Sequence, residues 1–561
     1  MKKLLFISLA LGLLWGCAKQ GYPSGGPKDN TPPVAGVAVP PSGSTGFAAQ
    51  EFFIPFDEYV TIKDAENNVL VSPPMKKKPE YVSKGKGVLV RIKDTLREGT
   101  TYLFQFKGAV ADINEGNVLE SYEYAFSTGS VIDSMTHRGV VLDALTLKPR
   151  EEAVSVMLYE SGADDSAAAK EPPVYITRCD KQGRFAFNCL KPGSYRILAI
   201  EDENKDMRLT AGEAVAFSDT LVVSRKAGVA DTATADSAAT EGAIIRRGSA
   251  KMPIQTDCRL LISTLKQEKQ RVTKSDFLSK GRLQLVMQSP LGDYELKPLG
   301  GTAADLVCSL NPKRDTLNVW TRNGDCDSIV LVMHADGLQD TLKIRMKNRG
   351  KSKAALGPVG NLPLAKTRAE NKVHFFDSLR LEFINPMRPT QDSIITIRNM
   401  KDSSVVRARI LLDEAGLKGV AEFAVAAGCR YEVRIEPGMM ADIYGHRNDT
   451  VKFSAEISSP EQYGRLILAV DADKGDYLIE LLDEKMEVVS RQTMKGTGVA
   501  TFEHLSAGKY MVRAIADLNG NGEWDAGDYW THRQPEHVVY LGKTLDVREN
   551  WDIEEAFSLK E

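Results

Sequence analysis

Residues 190–200 read LKPGSYRILAI, and residues 505–515, which lie 315 positions later, read LSAGKYMVRAI. Both copies hold a leucine, a Gly-x-Tyr step and an apolar run, and both continue into a loop rich in Asp and Asn. Self-similarity of this kind is typical of a duplicated structural module. The sequence therefore predicts that one module, named B below, occurs twice.

Most other apolar segments are short and alternate with polar residues. Examples are VLVRI at residues 88–92, YLFQF at 102–106 and YEVRI at 431–435. A period of two, with Gly, Pro, Asn and Asp between the segments, is typical of strands that bury one face. We expect an all-β protein of tandem β-sandwiches, each of about 100 residues.

A second duplicated pattern precedes each B module. Residues 101–127 run from Thr-Tyr through Ala-Asp-Ile to Phe-Ser, and residues 430–454 run from Arg-Tyr through Ala-Asp-Ile to Phe-Ser. The chain therefore predicts a two-module unit, A followed by B, that occurs twice.

The modules resemble known bacterial families. For the first A module the similarity rests on TPP at 31–33, FDE at 56–58, the Thr101-Tyr102 strand, Asp112 with Gly116-Asn117, and FST at 126–128. These motifs resemble the bacterial Ig-like domain of surface-layer proteins and Bacteroidetes lipoproteins. The B modules, with GRFAF at 183–187 before the Gly193-x-Tyr195 step, resemble the carboxypeptidase regulatory-like, prealbumin-type sandwich. Both resemblances imply spacers, scaffolds or binding modules rather than enzymes.

These patterns divide the chain into segments that we expect to form a string of about five sandwiches, with the last module at its free end. The segments are a signal peptide (1–16), a lipidated cysteine with a tether (17–30), an Ig-like domain (31–129), a regulatory-like β-sandwich (131–225), a disordered linker (226–254), a β-rich domain of no recognised family (255–352), a second Ig-like β-sandwich (353–458) and a second prealbumin-like β-sandwich with the Asp/Asn loop (459–561).

The N-terminus predicts export and a lipid anchor. A positive start precedes an apolar run from Leu4 to Leu14, and Cys17 follows where that run stops. This order is typical of a signal peptide, and the run is shorter than the ~20 residues that a membrane-spanning helix needs. Residues 14–17 (LWGC) resemble a bacterial lipobox, which implies acylation of Cys17 and membrane attachment. An ordinary secretory signal that contains a cysteine is the alternative.

The charge balance limits the classes of partner, and the cysteines bear on the compartment. Lys plus Arg total 72 against 75 Asp plus Glu, so no basic excess indicates a nucleic-acid partner. The cysteines after Cys17 would meet an oxidising compartment. Cys308 and Cys326 are candidates for a disulfide across neighbouring strands, and buried thiols are the alternative.

Two Asp/Asn-rich loops follow the repeated motif and predict calcium sites. A hard cation takes six to eight oxygens, and oxygens at loop positions 1, 3, 5, 9 and 12, with glycine at position 6, wrap around one point. The second copy offers Asp517, Asn519, Asn521, Glu523, Asp525 and Asp528, with the backbone carbonyl of residue 523 completing the set. The first copy offers Asp202, Asn204, Asp206, Thr210 and Glu213, with Met207 at the glycine position and Lys205 and Arg208 nearby. A polar hairpin loop without metal is the alternative.

Two further patterns concern ligands and modification. Trp524, Trp530 and Trp551 cluster near the C-terminus, where they either bind a sugar or a protein partner or fill the core beneath the loop. The Asp-Thr-Ala and Asp-Ser-Ala steps at Thr232 and Ser237 resemble the O-glycosylation acceptor of Bacteroidetes exported proteins. An aspartate at a turn that starts a strand is the alternative.

The sequence lacks the commonest catalytic motifs. It has no His-Glu-x-x-His zinc helix and no Gly-x-Ser-x-Gly elbow. We expect a non-catalytic envelope lipoprotein that acts as a spacer, scaffold or binding module for an unidentified envelope protein or glycan. A glycan- or nutrient-binding component of a surface uptake system is the alternative, and an enzyme whose site is assembled from loops of several modules is a third class. Residues 18–22 (AKQGY) lack the acidic cluster of a surface-export tag, so we expect an outer-membrane lipoprotein that faces the periplasm.

Overall fold

The computed structural model describes residues 29–226, 258–264, 270–323, 325–335, 337–345, 372–388 and 394–560. Strands hold 51% of the residues and helices 3%, so the predicted all-β fold of tandem sandwiches is confirmed. No helix in these ranges is both long and apolar enough to span a bilayer. The predicted signal peptide, Cys17, Thr232 and Ser237 lie outside the described residues.

Module A1 (residues 29–129) packs three small sheets around an aromatic core. Phe52, Phe104, Tyr124 and Phe126 are fully buried, and Phe52 stacks on Tyr124 with 3.9 Å between ring centroids. The strands are β1 (Glu51–Pro55), β2 (Val60–Ile62), β3 (Val69–Ser72), β4 (Glu80–Ser83), β5 (Gly87–Arg91), β6 (Thr101–Phe106), β7 (Val110–Asp112), β8 (Val118–Leu119) and β9 (Tyr122–Ser127), with a one-turn helix at Ala65–Asn68. Their sheet orders are β1-β5-β4, β2-β7-β8 and β3-β6-β9.

Module B1 (residues 131–226) is completed by a strand that lies after residue 257. Its strands are β10 (Met135–Asp143), β11 (Ser155–Glu160), β12 (Tyr175–Arg178), β13 (Arg184–Leu190), β14 (Ser194–Ile200), β15 (Ala214–Phe217), β16 (Val222–Val223), β17 (Arg225–Lys226) and β18 (Cys258–Thr264), with a one-turn helix at Ala167–Lys170. β18 runs parallel to β10 and antiparallel to β15. The predicted boundary at residue 255 assigned β18 to the next domain, whereas the structure packs Leu260 and Ile262 into the B1 core.

Module C (residues 270–345) consists of two facing sheets. Its strands are β19 (Val272–Ser279), β20 (Arg282–Met287), β21 (Tyr294–Pro298), β22 (Leu306–Leu310), β23 (Thr316–Thr321), β24 (Ser328–Ala335) and β25 (Leu338–Arg345), with a 3-10 turn at Ala303–Asp305. The sheet orders are β19-β20-β23-β22 and β21-β24-β25, and both sheets contribute to one core.

Modules A2 (residues 372–458) and B2 (residues 459–560) follow. A2 contains β26 (Lys372–Val373), β27 (Arg380–Glu382), β28 (Met387–Arg388), β29 (Ile394–Asn399), β30 (Val405–Leu412), β31 (Lys418–Ala421), β32 (Arg430–Ile435), β33 (Ala441–Asp442) and β34 (Val451–Ile457). B2 contains a 3-10 turn at Pro460–Gln462 and β35 (Tyr463–Asp471), β36 (Asp476–Leu482), β37 (Val488–Lys495), β38 (Gly498–Ser506), β39 (Gly508–Asp517), β40 (Val538–Tyr540), β41 (Leu545–Val547) and β42 (Asp552–Ser558). In B2 the closing strand β42 runs parallel to the first strand β35, as β18 does to β10 in B1.

The tyrosine of the repeated Gly-x-Tyr step makes the same contact in both B modules. The Tyr195 hydroxyl donates to the backbone carbonyl of Lys191 at 3.0 Å, and the Tyr510 hydroxyl donates to that of Ser506 at 2.9 Å. Each hydroxyl therefore fixes the turn that leads into its own strand, β14 or β39.

The tyrosine shared by the A modules also holds a turn in each copy. The Tyr102 hydroxyl accepts the backbone N–H of Arg97 at 2.9 Å, and the Tyr431 hydroxyl accepts that of Ala426 at 3.2 Å. The duplication seen in the sequence thus corresponds to matching hydrogen bonds.

Modules A1 and B1 share an interface that covers β6. We expected this strand to bury one face, but all six of its residues are buried. The reason is the neighbouring module: Thr177 of β12 donates its hydroxyl to Gln105 Oε1 of β6 at 3.2 Å.

Module B2 packs on module B1 through residues 527–534, here called the docking segment. The Gly527 N–H donates to Ser263 Oγ of β18 at 3.0 Å, and the Tyr529 hydroxyl donates to the Asp165 carbonyl at 3.0 Å. The expectation that the last module is the free end of a string is therefore wrong. The chain folds back so that the two B modules touch.

Candidate functional site

The Asp/Asn loop of B2 begins at the last residue of β39. The buried carboxylate of Asp517 accepts the backbone N–H groups of Gly520 (2.7 Å), Asn521 (3.2 Å) and Gly522 (2.9 Å). Gly522 has a left-handed φ of 76°, which a residue without Cβ adopts readily. The chain thus wraps around one carboxylate and turns sharply where a calcium loop needs glycine.

Two amide side chains in this loop point at a second buried carboxylate. The amide nitrogens of Asn519 and Asn521 lie 2.6 and 2.7 Å from Asp525 Oδ2. An amide that turns over presents its oxygen in place of its nitrogen. With Asp517, these residues supply an all-oxygen donor set, the kind that Ca²⁺ prefers. The side chain of Glu523 is exposed, so from this residue only the backbone carbonyl would join the set.

Asp528, the predicted ligand at position 12, takes part in a separate turn. Its Oδ1 accepts the N–H of Trp530 at 2.9 Å, and its Oδ2 accepts the hydroxyl of Thr531 at 2.9 Å. The docking segment begins just before Asp528, and the Asp528 carboxylate stabilises a turn within that segment instead of the loop.

Glu536 closes the B2 loop instead. Its side chain is 4% exposed, and its two carboxylate oxygens accept the N–H groups of Leu518 (2.8 Å) and Asp525 (3.0 Å). In B1 the corresponding contact is made by Glu213, which accepts the N–H of Thr210 at 2.9 Å. Each glutamate stands just before the strand that follows its loop, β15 or β40. Sequence analysis missed Glu536, and this shared position, rather than a fixed spacing of twelve, is the signal that could have found it.

The Asp/Asn loop of B1 follows the same path with bulkier residues. The Asp202 carboxylate accepts the N–H of Met207 at 3.0 Å, as Asp517 accepts that of Gly522. Met207 and Lys205 have left-handed φ values of 57° and 59°, conformations that cost free energy when a Cβ is present. Two glycine-like positions of this loop are therefore occupied by long side chains.

The Glu213 carboxylate is buried but only partly satisfied. Its Oε1 has no hydrogen-bond partner. Burial raises the pKa of Glu213, and the charges of Asp202 and Asp206 raise it further. Across the described ranges, no three His, Cys, Asp or Glu side chains converge as a metal-ligating group. A cation in either loop would therefore depend on amide and backbone oxygens as well.

An open recess in B2, beside its contact with A2, combines aromatic and polar side chains. Trp551 lines the recess and is 61% exposed. The ring of His504, which also lines it, stacks on Phe376 of A2 with 4.6 Å between centroids, and Phe376 itself lies outside the lining. The recess has a volume of about 430 Å³. Its polar lining comprises Arg465, Glu503, Asn550 and Asp552.

The C-terminal tryptophans divide between core and surface. Trp524 is half-buried and donates its indole N–H to the Glu536 carbonyl at 3.1 Å, so it fills space beneath the loop. Trp530 and Trp551 are at least half exposed. Only these two remain as surface aromatics of the predicted cluster.

Cys308 and Cys326, the candidates for a disulfide across neighbouring strands, are not joined by one. Both are free thiols, and the Cys326 thiol donates to the Ser328 carbonyl at 3.2 Å. Burial raises the pKa of Cys308 to about 11, so this thiol is protonated at neutral pH.

The sandwich of module A1, with its buried aromatic core, matches a known family. Residues 29–128 match the model of a bacterial Ig-like domain. The resemblance stated for residues 31–129 is therefore confirmed for this domain.

The chain also matches solved structures at low identity. The Bacillus anthracis TIE protein is 12% identical, covers 96% of this chain and 76% of its own, and has a TM-score of 0.14. The S-layer protein rSbsC(31-844) is 12% identical, with 92% and 67% coverage and a TM-score of 0.13. A Bacteroides ovatus SGBP-B, solved with a mixed-linkage heptasaccharide, is 12% identical, with 73% and 93% coverage and a TM-score of 0.17. No curated protein matches the chain.

Proposed function

We propose that this chain is a non-catalytic envelope protein, anchored through a lipid on Cys17, whose packed modules form a scaffold for a binding surface. The observation that carries the proposal is the contact between B1 and B2 at the docking segment. Because Tyr529 and Gly527 form hydrogen bonds with B1, the two A–B units pack against each other and do not act as separate spacers. The matched Ig-like domain supports a structural or binding role.

Lipid attachment is tested in cells of a Gram-negative host. We expect alkyne-palmitate to label the wild-type chain and the protein to sediment with membranes. A Cys17→Ala variant should lose both the label and the sedimentation. A labelled Cys17→Ala variant, or an unlabelled wild type, contradicts the proposal.

The orientation is tested on intact cells. The absence of an acidic cluster after Cys17 supports a periplasm-facing outer-membrane protein. We expect added protease to leave the modules intact until the outer membrane is permeabilised. Cleavage of intact cells would place the protein on the surface instead.

The B2 loop is our proposed calcium site. Its support is the set of oxygen donors at Asp517, Asn519, Asn521 and Asp525, closed by Glu536. Since an ion that binds only the folded loop stabilises it, Ca²⁺ would strengthen the base from which the docking segment extends.

Glycan binding is a second candidate function, and the recess in B2 favours it. Exposed aromatic rings stack on sugar faces, and carboxylate, amide and guanidinium groups bond to hydroxyls. We expect a glycan array to give a ligand that Trp551→Ala loses and that Trp530→Ala, an exposed tryptophan outside the recess, retains. Equal binding by both variants would remove this candidate.

Modification of the segment before β18 is the last part of the proposal. Thr232 and Ser237 are the proposed O-glycosylation sites. The intact mass of the native protein should exceed that of the lipidated chain from Cys17 onward, and a Thr232→Ala, Ser237→Ala double variant should abolish the excess. A native mass equal to that of the lipidated chain without sugar refutes it.

A further inference from the structure

A cavity of about 210 Å³ lies between modules A1 and B1. Leu70, Met75 and Tyr81 line it from A1, and Ile176 and Met207 line it from B1. Its wall is therefore mainly apolar, and the two methionines are side chains that adapt to different ligand shapes. A pocket of this composition at a domain interface is a typical place for a small ligand.

The two modules are fastened together beside the cavity. The Ile176 N–H donates to Ser72 Oγ at 3.1 Å, and Lys107 Nζ donates to the Arg178 carbonyl at 2.6 Å. Both bonds cross from one module to the other. The cavity is thus a fixed feature of the A1–B1 pair.

Cations outnumber carboxylates in the cavity lining, where Lys78, Arg178 and Lys205 stand against Glu66 and Asp202. Arg178 and Lys205 both donate to Asn67, through its carbonyl and its Oδ1, so their bonds go to a neutral residue. Lys78 is paired with Glu66 at 3.5 Å. Burial lowers the pKa of the Arg178 guanidinium, and the charges of Asp202 and Asp64 oppose that shift only in part.

The B1 loop supplies two of the lining side chains at positions where the B2 loop has glycine. Lys205 and Met207 hold left-handed backbone conformations, and Gly520 and Gly522 hold the same conformations in B2 with φ of 72° and 76°. A residue with a Cβ costs free energy in this conformation, and such residues are found where the surrounding structure holds them in place, often at functional sites. Here Met207 contributes to the apolar wall and Lys205 contributes a cation.

We propose that the A1–B1 cavity binds a small amphipathic ligand with a short apolar chain and a single anionic head group. The chain lies among Leu70, Met75, Ile176 and Met207, and the head group lies at Arg178 and Lys205. The volume equals that of about seven water molecules at ~30 Å³ each, so it admits a short acyl chain and excludes a long lipid tail. This site goes beyond the proposed function and is separate from the recess in B2.

The test is calorimetric titration of the mature chain with sodium octanoate, with octylamine and octanol as head-group controls. We expect octanoate to bind and the two controls to bind at least tenfold more weakly. Octyl phosphate distinguishes a carboxylate head group from a phosphate, and binding of either anion supports the proposal.

Matched variants locate the site. An Arg178→Gln, Lys205→Gln double variant should bind octanoate at least tenfold more weakly, whereas Lys84→Gln, a surface lysine of A1, should bind as the wild type does. Since the double variant also loses bonds to Asn67, Met207→Trp serves as a second test that fills the cavity and leaves the cations in place. No octanoate binding by the wild type, equal binding of octylamine, or full binding by both the double variant and Met207→Trp would overturn the proposal.

Discussion

The two Asp/Asn loops share a backbone path but differ in what their side chains do. In B2, glycines at positions 520 and 522 leave a loop of oxygen donors, and the chain continues into the docking segment. In B1, Lys205 and Met207 occupy the same positions and line a cavity against A1. In both loops the first aspartate fixes the loop shape through its bonds to backbone N–H groups, while the residues at the left-handed positions determine what the loop does.

Removing the Tyr529 side chain should separate B2 from B1. The ring is buried, packs on Phe217 with 5.5 Å between centroids, and donates its hydroxyl to Asp165. Truncation of a buried aromatic costs about 3 kcal/mol or more. We expect Tyr529→Ala to lower the midpoint of the first urea transition and to raise the radius of gyration in X-ray scattering. Trp530→Ala, half exposed beside it, should change stability by less than ~0.5 kcal/mol. Equal effects of the two variants would mean that the docking segment does not hold the modules together.

Calcium should stabilise B2 through the loop at Asp517. At a free Ca²⁺ concentration of 100 times Kd, a site present only in the folded state adds about 2.7 kcal/mol. Asp517→Asn should abolish the rise in melting temperature, while Asp528→Asn should retain it because that carboxylate serves a separate turn. If Asp528→Asn abolishes the rise, the ion uses the twelve-residue spacing, and if calcium leaves the wild type unchanged, the loop is a polar hairpin.

Placing the B1 residue in the B2 loop should be unfavourable. Gly522→Met puts a Cβ in a left-handed conformation, which costs about 1–2 kcal/mol. Nothing lies within 4 Å of the added Cβ, so no cavity wall compensates for this cost. Urea denaturation measures the loss, with Leu518→Met, an exposed residue of the same loop, as the control. A neutral Gly522→Met would show that left-handed positions do not divide the loops.

The two loop-closing glutamates should respond differently to loss of charge. Glu536 satisfies both oxygens with N–H donors, so Glu536→Gln should cost about 1 kcal/mol. Glu213 has an unpartnered oxygen and a pKa raised by burial, so its charged form opposes folding and wild-type stability should rise as pH falls through that pKa. Glu213→Gln should remove this dependence and cost less at pH 7 than Glu536→Gln. The reverse order, in denaturation at pH 7 and pH 4, contradicts the comparison.

The docking of B2 on B1 should weaken slightly as pH rises. A hydrogen bond to Asp165 raises the pKa of His532, and the charges of Asp165 and Asp219 support the shift, while Arg196 pairs with Asp165 from the B1 side. Because the folded-state pKa is raised, this contribution is fully present below about pH 6.5 and is lost as pH rises through the folded value. Hydrogen exchange at β15 between pH 6 and pH 9 measures it. His532→Gln should show no such change, and an equal change in that variant would assign it to another group.

The sequence predicts the strands, turns and loops within each module, but it does not predict the contacts between modules. Alternation in residues 101–106 identifies a strand, but period two cannot reveal that Thr177 of the next module covers its polar face. The Gly-x-Tyr repeat locates both loops because it starts β14 and β39, and each of these strands leads directly into its Asp/Asn loop. Sequence analysis misses Glu536 because the docking segment separates this residue from the loop that it closes. It also misses the place of β18 in the B1 sheet because residues 227–257 separate this strand from the rest of the module.

The late position of β18 sets an order of events during synthesis of the chain. The strand lies between β10 and β15, and both neighbours precede it by more than 40 residues. As the polypeptide leaves the ribosome N-terminus first, B1 keeps two open strand edges until Thr264 has emerged. A chaperone would bind these open edges during that interval. A fragment that contains Cys258–Thr264, added separately to a chain ending at Lys226, should complete the sandwich by strand complementation.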